Sequence, residues 1–165
     1  KQNAIQLIEE TQQSIIWLLG DLYYGYDNQS LEERVVERFA ARGWDLAVFE
    51  SITGGALFAA LSGVSGATRV LSRGWCFNAE ERSRHWLSET KTVTGDGAQA
   101  FARAAKARAG TKIGIAVHME NPQQATIAVC FPDKEVIKIV RCLEPLVKAR
   151  QRIVKQALNT LRLEG

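Results

Sequence analysis

The sequence predicts an α/β protein, a three-layer α/β/α sandwich around a mixed, mostly parallel sheet of about five strands. Three observations carry that expectation. The 165 residues, 46% hydrophobic with only three prolines, amount to one domain able to bury its own core without disulfide or metal staples. Short apolar runs alternate with helical patterns over the first two-thirds of the chain, the order that parallel βαβ units produce. Three β-type runs joined by short turns then lead into a last helix, which adds antiparallel strands to the sheet.

Each element has its own reason. Ala4, Ile8, Thr11, Ile15 and Leu18 form one stripe, away from Glu9, Glu10, Gln12 and Gln13, so the first eighteen residues read as an amphipathic helix ending at Gly20. A connector rich in turn formers, Gly20 to Asn28, follows, which divides the chain into 1–29, helix and connector, and 30–165, the α/β/α domain. Ser30 is an N-cap for a helix carrying Val35, Val36, Phe39 and Ala40, closed by Gly43. Leu46–Phe49 is a strand buried on both faces, and Gly55–Leu61 an apolar helix. Arg69–Cys76 is read as a strand, and Ala79–Leu87 and Gly95–Ala109 as helices. Ile113–Val117, Gln124–Phe131 and Glu135–Cys142 are the later strands, with a loop at Glu120–Gln123, and Leu146–Leu163 the closing helix.

Composition narrows the function classes. Cys76, Cys130 and Cys142 are odd in number and far apart, which points to a reducing, cytoplasmic setting. Two histidines without ligand spacing exclude an ordinary zinc site, and no run approaches the roughly 18 apolar residues of a membrane span. The chain starts at Lys1 without an initiator Met, as a processed or excised chain would. Residues 1–50 carry four basic and nine acidic side chains, whereas 51–165 carry seventeen and nine. Lys134, Lys138, Arg141, Lys148, Arg150, Arg152 and Lys155 concentrate the positive charge. They lack the interleaved aromatics of a nucleic-acid surface, so no specific nucleic-acid partner is expected and solvated faces are the plainer reading.

The informative segment is Glu50-Ser51-Ile52-Thr53-Gly54-Gly55. A tight turn there sets Ser51 at the carboxyl end of a sheet strand, where open α/β folds place ligands, and free amides at the start of the next helix suit an oxyanion or a phosphate. The bland alternative is that Ser, Thr and Gly here are capping residues only.

This segment, after a short apolar strand and before a small-residue helix, resembles the signature of the CinA (competence/damage-inducible) C-terminal domain, the nicotinamide mononucleotide deamidase family. Gly20-Asp21, Tyr24-Gly25 and Ser30-Leu31-Glu32-Glu33 resemble the connector ahead of that domain. Ser65-Gly66-Ala67, Arg73-Gly74, Thr92-Val93-Thr94 and Ala157-Leu158-Asn159-Thr160-Leu161 follow in the family's order, so the similarity runs over about residues 15–163. The resemblance implies hydrolysis of nicotinamide mononucleotide to nicotinate mononucleotide and ammonia, with Ser51 as nucleophile. Glu50, Thr53, Gly54 and Gly55 would lie around a mononucleotide-like ligand, with no cofactor or metal. It also implies a homodimer and, in full-length relatives, a preceding N-terminal domain.

The sequence departs from the family in three places. Where the family shows Tyr-Ser-x-x-Ala-Lys, whose lysine activates the serine, this chain has Phe77-Asn78-Ala79-Glu80-Glu81-Arg82 or, aligned without a gap, Ser83 opposite the lysine; either way the lysine is gone, and a guanidinium cannot serve as a base. His118-Met119-Glu120-Asn121-Pro122 replaces the family's Thr-Gly-x-x-Gly-Pro and its glycine-rich loop. Leu143-Glu144-Pro145-Leu146 stands where a Gly-Asp-Arg turn is expected, leaving Arg150 as the nearest basic residue for substrate. Arg82 or His118 would then take over from the lysine. If the strand at Ile113–Val117 runs parallel to Leu46–Phe49, His118 emerges beside Ser51 as a base; otherwise it is a half-buried strand-end residue. Two readings follow: an active amidohydrolase, or a catalytically impaired nucleotide-binding or regulatory module.

Overall fold

The computed structural model describes residues 2–25 and 29–165. Five strands, β1 (Leu46–Glu50), β2 (Leu71–Cys76), β3 (Ile113–Asn121), β4 (Gln124–Cys130) and β5 (Glu135–Arg141), form one sheet in the order β2-β1-β3-β4-β5. β1 pairs in parallel with β2 and β3, and β4 pairs antiparallel with β3 and β5. The sheet is therefore mixed, and β4 alone opposes the other four strands. The helices are α1 (Gln2–Leu19), α2 (Leu31–Ala41), α3 (Ala56–Ser62), α4 (Glu80–Ser88), α5 (Gly97–Ala109) and α6 (Leu146–Glu164).

Alternation along the strands sorts the core into two layers. Leu46 and Val48 of β1, Ile113, Ile115 and Val117 of β3, and Ile127 and Val129 of β4 face α2, α3 and α6. Ala47, Phe49, Ala116 and Ala128 face α4 and α5. α2 starts where expected, because Ser30 and Glu33 form a reciprocal capping box: the Glu33 amide donates to Ser30 Oγ (3.1 Å) and the Ser30 amide to Glu33 Oε2 (2.7 Å). On the second face, α5 lies close against β3. A Cβ on Gly114 would come within 2.1 Å of the Ala102 carbonyl, so glycine is required there.

Some boundaries differ from the sequence expectation. Ala67–Arg69 forms a 3-10 turn, so β2 begins at Leu71 rather than Arg69. β3 runs on to Asn121, whose side chain accepts from the Gln123 amide (3.0 Å), and the expected loop shrinks to a tight turn at Pro122-Gln123. His118 therefore lies within a strand rather than at its end. α1, whose packing partner the sequence leaves open between its own domain and a second subunit, has most of its apolar side chains exposed, with Trp17 82% accessible. No described helix is long and apolar enough to cross a membrane.

Candidate active site

Ser51 follows the last residue of β1. Its amide continues the parallel ladder by donating to the Val117 carbonyl (2.9 Å). The chain then turns away, and the Ser51 hydroxyl takes the next ladder position, accepting from the Met119 amide at 3.2 Å. With one oxygen lone pair so occupied, the hydroxyl hydrogen is free for another acceptor, and His118 Nδ1 lies 2.9 Å from Oγ. The juxtaposition follows from register: β1 and β3 are parallel with Glu50 opposite Val117, so the next residue of each strand leaves the same sheet edge on the α4/α5 face. His118 is only 7% exposed and packs on the Phe101 ring at 4.8 Å. Burial lowers its pKa; Glu120 and then Glu80 oppose that, and Arg84 reinforces it. The ring is therefore neutral at neutral pH, the state a general base requires.

The cavity over Ser51 holds about 270 Å³ and collects residues from the carboxyl ends of three parallel strands. Ser51 and Ile52 follow β1, Phe77, Asn78 and Glu80 follow β2, and His118 and Met119 come from β3. Leu146 and Arg150 close it from α6. Arg150 donates through Nε to the Ile52 carbonyl (2.7 Å), which leaves its terminal nitrogens without a partner among the described residues. It is a cation held in place with donors to spare.

Other predicted residues lie elsewhere. Glu50, 1% exposed, points away from the serine and caps α3: its carboxylate accepts from the Leu57 amide (3.0 Å), the Phe58 amide (2.9 Å) and the Thr53 hydroxyl (2.5 Å). Those helix amides, expected to be free for an anion, are thus occupied by the chain's own carboxylate. Thr53 is buried in the same network. Gly54 and Gly55 supply left-handed backbone (φ +67° and +88°) that turns the chain into α3, and neither lines the serine's cavity. Arg82 lies on the outer side of α4, in a separate cavity with Glu81, His85, Trp86 and Glu89, so it does not join Ser51. Trp86 is buried against Phe49 (5.0 Å between rings). Cys76, at the end of β2, does not line the serine's cavity, and burial and the Glu50 carboxylate push its thiol pKa up against the pull of Arg150. Among the described residues no cluster of three or more His, Cys, Asp and Glu side chains could hold a metal ion.

Sequence reading missed the Met119 amide, the lining roles of Phe77, Asn78 and Glu80, and the capping role of Glu50. The first needed the exact register of β3 against β1, and the last the burial of one carboxylate.

Residues 28–164 match the CinA C-terminal domain family. A protein of Caldicellulosiruptor saccharolyticus, named as competence-damage inducible, is 38% identical over 78 residues, which make up 47% of this chain and 19% of that protein. A like-named protein of Geobacillus kaustophilus is 35% identical over 43% of this chain and 17% of its own length. The matched stretch is thus less than a fifth of these relatives. Among solved structures, a competence damage-inducible protein A of Klebsiella pneumoniae superposes with a TM-score of 0.71 at 26% identity, covering 80% of this chain and 92% of that one. A competence/damage inducible protein of Agrobacterium tumefaciens (0.69, 22% identity, 84% and 96% coverage) shares the fold.

Proposed function

The chain belongs to the CinA C-terminal domain family, and from that premise we propose that it is a serine amidohydrolase of the nicotinamide mononucleotide deamidase type. Ser51 is the nucleophile and His118 its base. The observation that carries this reading is the 2.9 Å contact between Ser51 Oγ and His118 Nδ1, with the Met119 amide turning the hydroxyl hydrogen toward the ring. A histidine here replaces the base that the family's lysine would supply.

In the first half of the reaction, Nδ1 takes the hydroxyl proton while Oγ bonds to the carboxamide carbon, and the carbonyl electron pair moves onto oxygen. Ile52 lines the cavity, and its amide has no partner among the described residues, so it is a backbone donor left for that oxyanion. The imidazolium then returns the proton to the amide nitrogen as the C–N bond breaks, releasing ammonia and leaving an acyl-serine. In the second half, water gives a proton to Nδ1 as its oxygen attacks the acyl carbon. The ester bond breaks, the proton passes back to Ser51, and the acid is released, losing its remaining proton to water or to the ammonia. The cavity carries an arginine with spare donors, a glutamate and an aromatic ring (Arg150, Glu80, Phe77), a set that suits a ligand combining a phosphate with a pyridinium cation.

A second reading, binding without cleavage, has its own support: the Ser51, Leu57 and Phe58 amides are all spent within the protein, which leaves few donors for an oxyanion. Ammonia release from nicotinamide mononucleotide by the wild type, Ser51→Ala and His118→Ala distinguishes the two. The amidohydrolase reading expects turnover in the wild type and a loss of at least roughly 10³-fold in each variant. Undiminished release by Ser51→Ala sinks it, and calorimetric binding without any turnover leaves the second reading.

A further inference from the structure

His118 borders two cavities. Beyond the serine's cavity lies a chamber of about 180 Å³, walled by Glu80, Arg84 and Leu87 of α4, by Asp96, Gly97 and Phe101 at the start of α5, and by His118 and Glu120 of β3. Nδ1 is engaged by Ser51, and Nε2 has no partner among the described residues. A neutral imidazole carries one proton. If Nδ1 is to accept from Ser51 it must be bare, so the proton belongs on Nε2, and an acceptor on the Nε2 side holds that tautomer against the alternative in which Nδ1–H donates to Ser51 Oγ. The chamber supplies acceptors and a cavity large enough for water.

Its three carboxylates are not equivalent. Glu80 is ion-paired with Arg84 one turn along α4. Asp96 holds the N-cap position of α5 and makes no cap bond. Glu120 lies two residues after His118, at the irregularity where the β3–β4 register shifts, and it lines the same chamber; it is free of hydrogen bonds and ion pairs among the described residues. Its Oε1 lies 3.3 Å from where a Cβ on Gly97 would stand, so the carboxylate reaches across the chamber to the first residue of α5. Of the charged groups facing His118, which are Glu120 from its own strand, Glu80 and Arg84 from α4 and Asp96 from the α5 start, Glu120 acts on the ring most strongly.

We propose that Glu120 is the positioning residue for His118: its carboxylate, through a water in the chamber, accepts from Nε2–H and so keeps Nδ1 bare toward Ser51. In this role Glu120 exchanges no proton with substrate. This inference rests on the amidohydrolase reading for its catalytic meaning, but its structural content can be read without turnover.

The test compares the full chain with Glu120→Gln, Glu120→Asp, Glu80→Gln and Asp96→Asn. Two readouts are taken: the ¹⁵N shifts of the His118 ring against pH, and kcat and KM separately for nicotinamide mononucleotide. Glu120→Gln is expected to shift the neutral ring toward the Nδ1–H tautomer and to move the His118 titration to lower pH. It should also lower kcat about tenfold with KM within about twofold of wild type. Glu120→Asp recovers part of each effect. His118 shifts and titration unchanged in Glu120→Gln, or moved instead by Glu80→Gln or Asp96→Asn, overturn the proposal. Should the wild type show no turnover, the ¹⁵N readout alone decides, so loss of the amidohydrolase reading and loss of this one remain separate results.

Discussion

The two faces of the sheet are filled by different chemistry. On the α2/α3/α6 face, branched aliphatics from β1, β3 and β4 meet Leu57, Ile153, Leu158 and Leu161, a continuous apolar layer with few polar atoms. On the α4/α5 face the strands contribute Ala47, Ala116 and Ala128, and the bulk comes from stacked rings, Phe49 on Phe101 at 4.1 Å with Trp86 beside them. Small strand residues let α5 come close along the middle of the sheet. At the carboxyl end, where β1 and β2 finish and β3 continues, the same face opens into the two cavities that share His118. One face stores stability, and the other uses aromatic packing to hold a polar ring in a fixed place.

The largest expected effect comes from removing the ring at the centre of the second face. Phe49 is fully buried and touches Phe77, Trp86 and Phe101, so Phe49→Ala should lower the unfolding free energy by about 3–5 kcal/mol in urea titration. Activity should fall further than the folded fraction does, because Phe101 also supports His118. Its counterpart across the sheet, Ile115→Val, should cost only about 1 kcal/mol and leave activity per folded molecule unchanged. Equal activity losses in the two variants would break the division between a stabilising face and a positioning face.

A smaller effect tests how α5 is seated. A methyl group on Gly114 would meet the Ala102 carbonyl at 2.1 Å and the Lys106 Cβ at 2.8 Å, so the helix must retreat. Gly114→Ala should destabilise by about 1–3 kcal/mol, the range for overpacking. It should also lower turnover, since α5 carries Phe101 and the residues that wall the chamber. Wild-type activity in a destabilised Gly114→Ala protein would show that His118 is held by β3 alone.

How far the sequence foretold these features depends on whether local chemistry decides them. The α2 start was legible because Ser30 and Glu33 cap it within four residues. The approach of His118 to Ser51 was legible as a condition, since parallel pairing of β1 with β3 would bring both to one edge. The extension of β3 to Asn121 was not, because it depends on pairing with β4 across a turn that polar, proline-containing sequence disguises as a loop. Glu50 and Arg82 were misplaced for a shared reason. Each lies next to a telling segment, but which way a side chain points is set by strand alternation, which a one-residue change reverses, or by helix phase, which it turns by about 100°. Glu50 turns into α3 and Arg82 turns outward on α4.

The smallest effect concerns pH and isolates the buried ring from the rest of the second face. Burial lowers the pKa of His118 below the ordinary imidazole value of about 6.5, so near and below that pH the unfolded chain binds a proton more readily than the folded one. Protonation then favours unfolding: stability is constant above the ordinary value and falls as pH drops through it. Glu135 and Glu144 also lose their contributions on acidification. Their pKa values are lowered from the carboxylate range by hydrogen bonds from Arg103 and Arg152, so those losses come at more acidic pH. Between pH 7.5 and about 5.5 those two glutamates therefore do not interfere, and the difference between the wild type and His118→Asn isolates the His118 contribution. Unfolding free energies measured across that window should decline in the wild type and decline less in His118→Asn. Parallel curves would mean that the ring is as well solvated folded as unfolded, and the second face would then lose its claim to hold His118 dry and neutral for Ser51.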